Sequence, residues 1–111
     1  MRAVLCLAVV VLCACAPPDP CARAEALNTG FSTRHAACFA EGTLPGAKFD
    51  TGACTNSMPA CSSADTQTLQ AYFDCVEQLP GCTPGTRAAF NAGFLECTTG
   101  MNRLSPGCFV P

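Results

Sequence analysis

The sequence contains little of what catalytic and nucleic-acid-binding sites require. It has no tryptophan, one tyrosine and one histidine, and only 13% of its residues are charged. With a single histidine, scattered carboxylates and no Gly-x-Ser-x-Gly segment, a Ser/His/Asp set cannot be assembled. The basic residues form no cluster, so the electrostatic footprint of a nucleic-acid-binding protein is missing. We therefore predict a protein that is not an enzyme, needs no cofactor and does not bind nucleic acid.

Metal and redox motifs are also missing from the cysteine pattern. The closest cysteine pairs after residue 20 are Cys54/Cys61 and Cys75/Cys82, each separated by six residues. Structural zinc sites place paired ligands two to four residues apart, and redox sites use Cys-x-x-Cys. The only histidine, His35, lies three residues before Cys38 and could act as a base only if that thiol were reduced. We expect Cys38 to be oxidised and His35 to lie on the surface.

A hydrophobic run long enough to cross a bilayer does not occur. The longest apolar stretch follows Arg2 and extends from Ala3 to Ala14, whereas a membrane span needs about 20 residues. One positive charge followed by a short apolar run is typical of a secretory signal. We predict that residues 1–14 are a signal peptide and that the rest of the chain is exported.

The end of this leader carries the segment Leu12-Cys13-Ala14-Cys15. It resembles the lipobox of bacterial lipoproteins, in which an apolar residue stands three positions before a cysteine and a small residue stands immediately before it. The resemblance implies that Cys15 is acylated by fatty acids such as palmitate and becomes the first residue of the mature chain. Residue 13 departs from the small residue usual in that family. The protein resembles the small cysteine-rich lipoproteins that have no assigned activity, and Cys15 is the only functional residue which that likeness supplies.

Residues 15–20 are predicted to be an acylated cysteine and a proline-rich tether, since prolines favour an extended chain. In lipoproteins of Gram-negative bacteria, aspartate after the acylated cysteine retains the protein at the inner membrane. Ala16 stands there, so the resemblance implies the outer membrane, with the acyl chains in the bilayer. The alternative is cleavage after Ala16 by the general signal peptidase, which releases a soluble secreted protein, but Pro17 makes that site poor.

Cysteine is unusually frequent, with 11 in 111 positions. Eight of them lie in residues 21–111, and an even set in an exported chain of this size indicates four disulfides. Few large apolar side chains are available for a core, so cross-links must contribute much of the stability. The predicted disulfide cysteines are Cys21, Cys38, Cys54, Cys61, Cys75, Cys82, Cys97 and Cys108.

The pattern of apolar residues predicts an all-α, disulfide-rich bundle of about three helices in residues 21–111. The first helix is expected over 22–40, with Leu27, Phe31 and Cys38 on one face and Gly42 as a stop. Residues 43–61 contain prolines and glycines without a sustained period, and they are predicted to form a loop.

The second helix is expected to start after Ser62 or Ser63 and to end at Pro80-Gly81. The third should begin with Thr83 as N-cap and Pro84 as its first residue, and end near Gly100. An antiparallel hairpin of these two helices favours the bonds Cys75–Cys82 and Cys61–Cys97. The remaining pairs would then be Cys38–Cys54 and Cys21–Cys108.

Two kinds of non-catalytic function are compatible with these features. The first is a structural or protein-interaction module at the cell envelope, whose partner is another envelope protein. The second is a carrier of a small apolar ligand, since eight-cysteine helical domains include plant-type lipid-transfer proteins; this chain lacks the adjacent Cys-Cys pair and Cys-x-Cys of that family. Four phenylalanines discriminate between them, because they either fill the interior or line a cavity: Phe31, Phe73, Phe90 and Phe94.

Overall fold

The computed structural model describes residue 16, residues 18–38 and residues 49–109. These residues form four α-helices: α1 (Pro20–Arg34), α2 (Thr51–Ser57), α3 (Ser63–Glu77) and α4 (Arg87–Thr98). Single 3-10 turns follow or precede them at Ala36–Cys38, Met58–Ala60, Pro84–Thr86 and Met101–Arg103. No strand occurs in these ranges, which confirms the all-α prediction. The predicted signal peptide, Cys15 and Gly42 lie outside the described residues. Helix α1 ends at Arg34 and a separate 3-10 turn follows, so the prediction of a helix that continues to residue 40 is wrong.

Side chains cap the helices where the sequence predicts a start. Ser62 caps α3 by accepting the Asp65 amide at 3.1 Å, and the Asp65 carboxylate accepts the Ser62 amide at 2.7 Å. This reciprocal capping box satisfies two amides that the first helical turn leaves without partners. Thr83 and Pro84 start a 3-10 turn rather than the α-helix itself, so α4 begins three residues later than predicted. Asp19 caps α1, which begins at Pro20, inside the predicted tether.

Helix α2 lies within the segment predicted to be a loop. Asp50 caps this seven-residue helix by accepting the Ala53 amide at 2.9 Å. So short a helix is marginal in isolation, and Cys54 in its middle is bonded to Cys21 at the start of α1. The prediction of a loop over 43–61 is therefore wrong for its second half, because a cap and a cross-link replace the missing amphipathic pattern.

Helix α3 is the centre of the arrangement, with α1 parallel to it and α4 antiparallel. Arg23 near the start of α1 donates to Glu77, and Arg34 at its end donates to the carbonyl of Leu79, so the two helices run in the same direction. Along α4 the order reverses, since Gly93 approaches Leu79 while Cys97 is bonded to Cys75. A Cβ at Gly93 would lie 3.0 Å from Leu79 Cδ2, and this absence of a side chain permits the close approach.

The eight predicted cysteines form four disulfides, but all four predicted pairings are wrong. The loop between α3 and α4 is longer than the hairpin model assumed, so the register places Cys97 rather than Cys82 beside Cys75. Cys82 is then free to join the end of α1, and the chain after α4 returns to the start of α3. The bonds are Cys21–Cys54, Cys38–Cys82, Cys61–Cys108 and Cys75–Cys97, with Cα–Cα distances of 5.8, 5.7, 4.7 and 5.5 Å.

The core consists of two small apolar clusters on either side of α3. One contains Val76, Leu79 and Phe90 with the cysteines of two disulfides, and the other contains Leu69 and Phe73. Leu27 and Tyr72 contact both clusters from partly buried positions. Residues of both clusters line a concavity between α1, α3 and α4.

Candidate ligand groove

A groove of about 290 Å³ is lined by residues of α1, α3 and α4 and by Phe49 and Phe109. Six of its ten described lining residues are aromatic. They include five of the seven phenylalanines of the chain and its only tyrosine. The lining residues are Ala24, Leu27, Asn28, Phe31, Phe49, Tyr72, Phe73, Val76, Phe94 and Phe109.

The aromatic side chains form two walls. On one side the Phe31 and Phe94 rings lie 5.5 Å apart between centroids. On the other side Phe109 contacts both Phe49, at 6.3 Å, and Phe73, at 6.0 Å. These distances fall in the range of favourable ring pairs, so each wall is stabilised by its own contacts.

The floor of the groove is buried and the walls are half-buried. Ala24, Phe73 and Val76 are 7%, 1% and 4% exposed and form the floor. The remaining lining side chains are partly accessible to solvent. The groove therefore presents a fixed apolar base to a molecule that enters from the open side.

Phe109 lines the groove although its backbone conformation is unfavourable. Its φ of 55° lies in the left-handed region, two residues after Gly107 at φ 80°. For a bulky residue this conformation costs about 1–3 kcal/mol and persists only where the surroundings enforce it. Here the neighbouring Cys61–Cys108 disulfide and the rings of Phe49 and Phe73 hold Phe109 in place.

No charged side chain is among the described residues that line the groove. Its polar side chains are Asn28 and Tyr72, and burial raises the pKa of the Tyr72 phenol, which is therefore neutral at physiological pH. Arg23 lies nearby, with its guanidinium carbon 5.5 Å from the Phe73 ring centroid. That cation is already bound by Asp74 and Glu77, so it offers no free positive charge to the groove.

His35 lies behind the Phe31 wall, and the prediction that it is a surface residue is wrong. Its side chain is 1% exposed, with ring centroids 4.6 Å from both Phe31 and Phe90. Its Nδ1 is buried and has no hydrogen-bond partner among the described residues. Burial, together with the neighbouring charge of Arg34, lowers the pKa of His35 below its usual value of 6.5. The imidazole therefore acts as a neutral, largely apolar part of the core.

Of the four phenylalanines singled out from the sequence, three line the groove and one packs behind it. Phe31, Phe73 and Phe94 line the groove, while Phe90 stands behind it, stacked on Phe94 at 6.3 Å. Phe73 and Phe90 are therefore buried in the core, whereas Phe31 and Phe94 are half-buried beside the groove. Phe49 and Phe109 belong to no amphipathic helix, so periodicity could not have found them, although two aromatic residues in proline- and glycine-rich segments were the available signal.

The remaining predicted site residue, Cys15, lies outside the described residues, and the eight body cysteines are all in disulfides. Within the ranges 18–38 and 49–109, no group of three histidine, cysteine or acidic side chains is placed to hold a metal ion. None of the helices α1 to α4 is long and apolar enough to span a bilayer.

The groove is thus an aromatic-lined, uncharged concavity on a cross-linked helical scaffold. Its geometry suits binding of an apolar molecule rather than acid–base or nucleophilic chemistry, because its described lining contains no carboxylate, imidazole or thiol. Comparison of the chain with protein families, with curated proteins and with solved structures finds no match, so proposals about its function depend on its own residues.

Proposed function

We propose that this protein is an exported lipoprotein, anchored to the bacterial envelope through Cys15, which acts as a structural or protein-interaction module and not as a catalyst. One observation carries the proposal: every cysteine from Cys21 to Cys108 is used in a disulfide between elements of the helical body. Such a body suits an oxidising compartment, where cross-links replace a large core. Export is what this observation supports.

The lipid anchor is supported by separate residues. The lipobox-like segment Leu12-Cys13-Ala14-Cys15 ends at a cysteine that the eight-cysteine body does not need. Pro17 disfavours the competing cleavage that would leave a soluble protein. The partners would be the bilayer, through the acyl chains, and another envelope protein. Ala16 favours the outer membrane by the resemblance given above.

Intact mass spectrometry of the membrane fraction tests the anchor. We expect a chain that begins at acylated Cys15 and is eight hydrogens lighter than its reduced form. Cys15→Ser should abolish acylation, because serine provides no thiol for the lipid. The matched control Cys13→Ser should be acylated normally, since a small residue at that position suits the lipobox. A mature chain that begins at Pro17 without lipid would overturn the anchor and leave secretion as the better proposal.

A second candidate function is carriage of a small apolar ligand. The observation that favours it is the groove, a concavity of about 290 Å³ in which six of the ten described lining residues are aromatic. Carriage and anchoring are compatible, because the groove is built from residues 24–109 and the acyl chains would be attached at Cys15.

A further inference from the structure

We propose that the groove binds one neutral, slender apolar molecule of about ten carbon atoms, such as a medium-chain alcohol. This inference rests on the carrier role proposed above and identifies the chemical class of its ligand. It depends on three properties of the described lining: the volume, the absence of charge and the position of the two polar side chains.

The volume sets the size of the ligand. A dry apolar cavity of about 150 Å³ accepts one benzene ring. The groove measures about 290 Å³, roughly twice that volume, and is therefore suited to a chain of about ten carbons. This volume is too small for a bulky amphiphile or for a helix about 10 Å wide. The groove thus favours a small molecule over a protein segment.

The lack of charge sets the polarity of the ligand. A carboxylate transferred to this lining would lose hydration without gaining a cation, because Arg23 is already paired with Asp74 and Glu77. A neutral hydroxyl loses far less on desolvation. Asn28 and Tyr72 supply an amide and a phenol able to exchange hydrogen bonds with such a group.

The protein carries its own reporter of binding. Tyr72 is the only tyrosine, the chain has no tryptophan, and Tyr72 lines the groove. Tyrosine fluorescence therefore comes from this one position. Tyr72 also lines a neighbouring concavity with Leu95 and Met101, so the Asn28→Phe variant is needed to assign the signal to the groove. Every described helix and all four disulfides lie within residues 18–109, so the oxidised chain from residue 16 onward contains the whole described body and can be titrated without detergent.

The test titrates this oxidised chain with 1-decanol and, separately, with decanoate at pH 8. We expect a saturable change in Tyr72 fluorescence with decanol, with a Kd on the order of tens of micromolar. Decanoate has the same chain length, and we expect it to bind at least about tenfold more weakly, since its charge finds no partner in the described lining.

A matched pair of variants assigns the site. Asn28→Phe places a large ring in the half-buried lining and should weaken decanol binding by about tenfold or more. Asn91→Phe makes the same change on the exposed surface of α4 and should leave the Kd unchanged. Circular dichroism and non-reducing mass analysis establish that both variants keep the helical, oxidised state.

Three results would overturn the inference: no saturable decanol signal in the folded wild type, equal binding of decanol and decanoate, or equal effects of the two phenylalanine variants. Each differs from failure of the anchor, which is read from the mass of the membrane-bound protein. A lipidated protein that does not bind decanol retains the proposed anchor and loses the ligand. A chain that begins at Pro17 and binds decanol retains the proposed ligand and loses the anchor.

Discussion

At the scale of single residues, the burial of His35 makes the stability of the fold depend on pH. The ring lies between Phe31 and Phe90 and leaves Nδ1 without a partner among the described residues. An unsatisfied buried nitrogen costs about 1–3 kcal/mol. The unfolded chain takes up a proton at His35 below about pH 6.5, whereas in the folded protein the lowered pKa postpones protonation to lower pH.

This difference predicts that the protein loses stability as the pH falls below about 6.5. One proton taken up only by the unfolded state reduces the free energy of unfolding by up to about 1.4 kcal/mol per pH unit, until the folded-state pKa is reached. His35→Leu removes the titrating group and should flatten this slope, while remaining at least as stable as wild type at pH 7.5. Guanidinium unfolding at pH 7.5 and pH 5, with the disulfides intact, measures both effects.

Asn91→Leu is the control for that measurement, because it adds the same side chain at an exposed position of α4. It should retain the slope of the wild type. If His35→Leu kept the same slope, another group would have to be responsible, and the neutral state assigned to His35 would be wrong.

Asp65 illustrates the opposite case, a buried carboxylate with enough partners. Hydrogen bonds from Ser105 and Ser62 hold the pKa of Asp65 at about 2. One oxygen caps α3 and the other accepts the Ser105 amide at 3.1 Å. One side chain thus starts a helix and fastens the C-terminal segment to it, a link that the sequence shows only as an acidic residue in a first helical turn.

At the scale of elements, Arg23 is the main polar link between α1 and α3. Its guanidinium donates to Glu77 at 3.1 and 2.8 Å and also to Asp74 and Gln70. The three hydrogen bonds to carboxylates and their charges raise the pKa of Arg23. Only 15% of the Arg23 side chain is exposed, against 59% for Asp74 and 44% for Glu77. Water therefore competes strongly for the carboxylates and only weakly for the arginine.

This asymmetry predicts that Arg23 contributes more through contact than through its ion pairs. Arg23→Ala should cost about 1–3 kcal/mol, since it removes the stem and the cation over Phe73. A double-mutant cycle with Glu77→Gln should give a coupling energy below about 1 kcal/mol. Urea unfolding of the wild type, the two single variants and the double variant measures the free energies of unfolding that the cycle requires. A coupling above about 2 kcal/mol would show instead that the ion pair dominates.

Prediction from sequence succeeded for elements with local signals and failed for those without them. The α3 start at Ser62 was predictable because its capping box and apolar face are encoded within one segment. Helix α2 was not, because Asp50 and the bond from Cys54 to Cys21 stabilise it in place of an apolar stripe. For the same reason, Phe31, Phe73 and Phe94 could be singled out from the sequence, because they lie on helices. Phe49 and Phe109 lie outside the helices and could not.

At the scale of the whole molecule, the disulfide pairing depended on helix register, which no local pattern reveals. The bond Cys38–Cys82 exists because α1 runs parallel to α3, whereas the predicted hairpin considered α3 and α4 alone. Anticipating this bond required knowing on which side of α3 the first helix packs. That choice is made by distant contacts such as those of Arg23 and Arg34.

The same bond should be a major source of stability. It closes a loop of 44 residues, so replacing both cysteines by alanine should lower the free energy of unfolding by about 4 kcal/mol. Guanidinium unfolding measures the loss, and peptide mapping of the unreduced variant should still find the other three bonds. An unchanged unfolding midpoint, or rearranged pairing among the other six cysteines, would contradict the role assigned to Cys38–Cys82.

The order of the four bonds along the chain has a consequence for proteolysis. Cys38–Cys82 interlocks with each of the other three, and together the bonds span every peptide link from Cys21 to Cys108. A single backbone cut in that interval therefore leaves two pieces joined covalently, and no fragment separates until thiols reduce the bonds. A cut before Cys21, in the proline-rich segment, lies outside all four loops and detaches the body in one piece. A protease could thus release the body from its attachment without dismantling it.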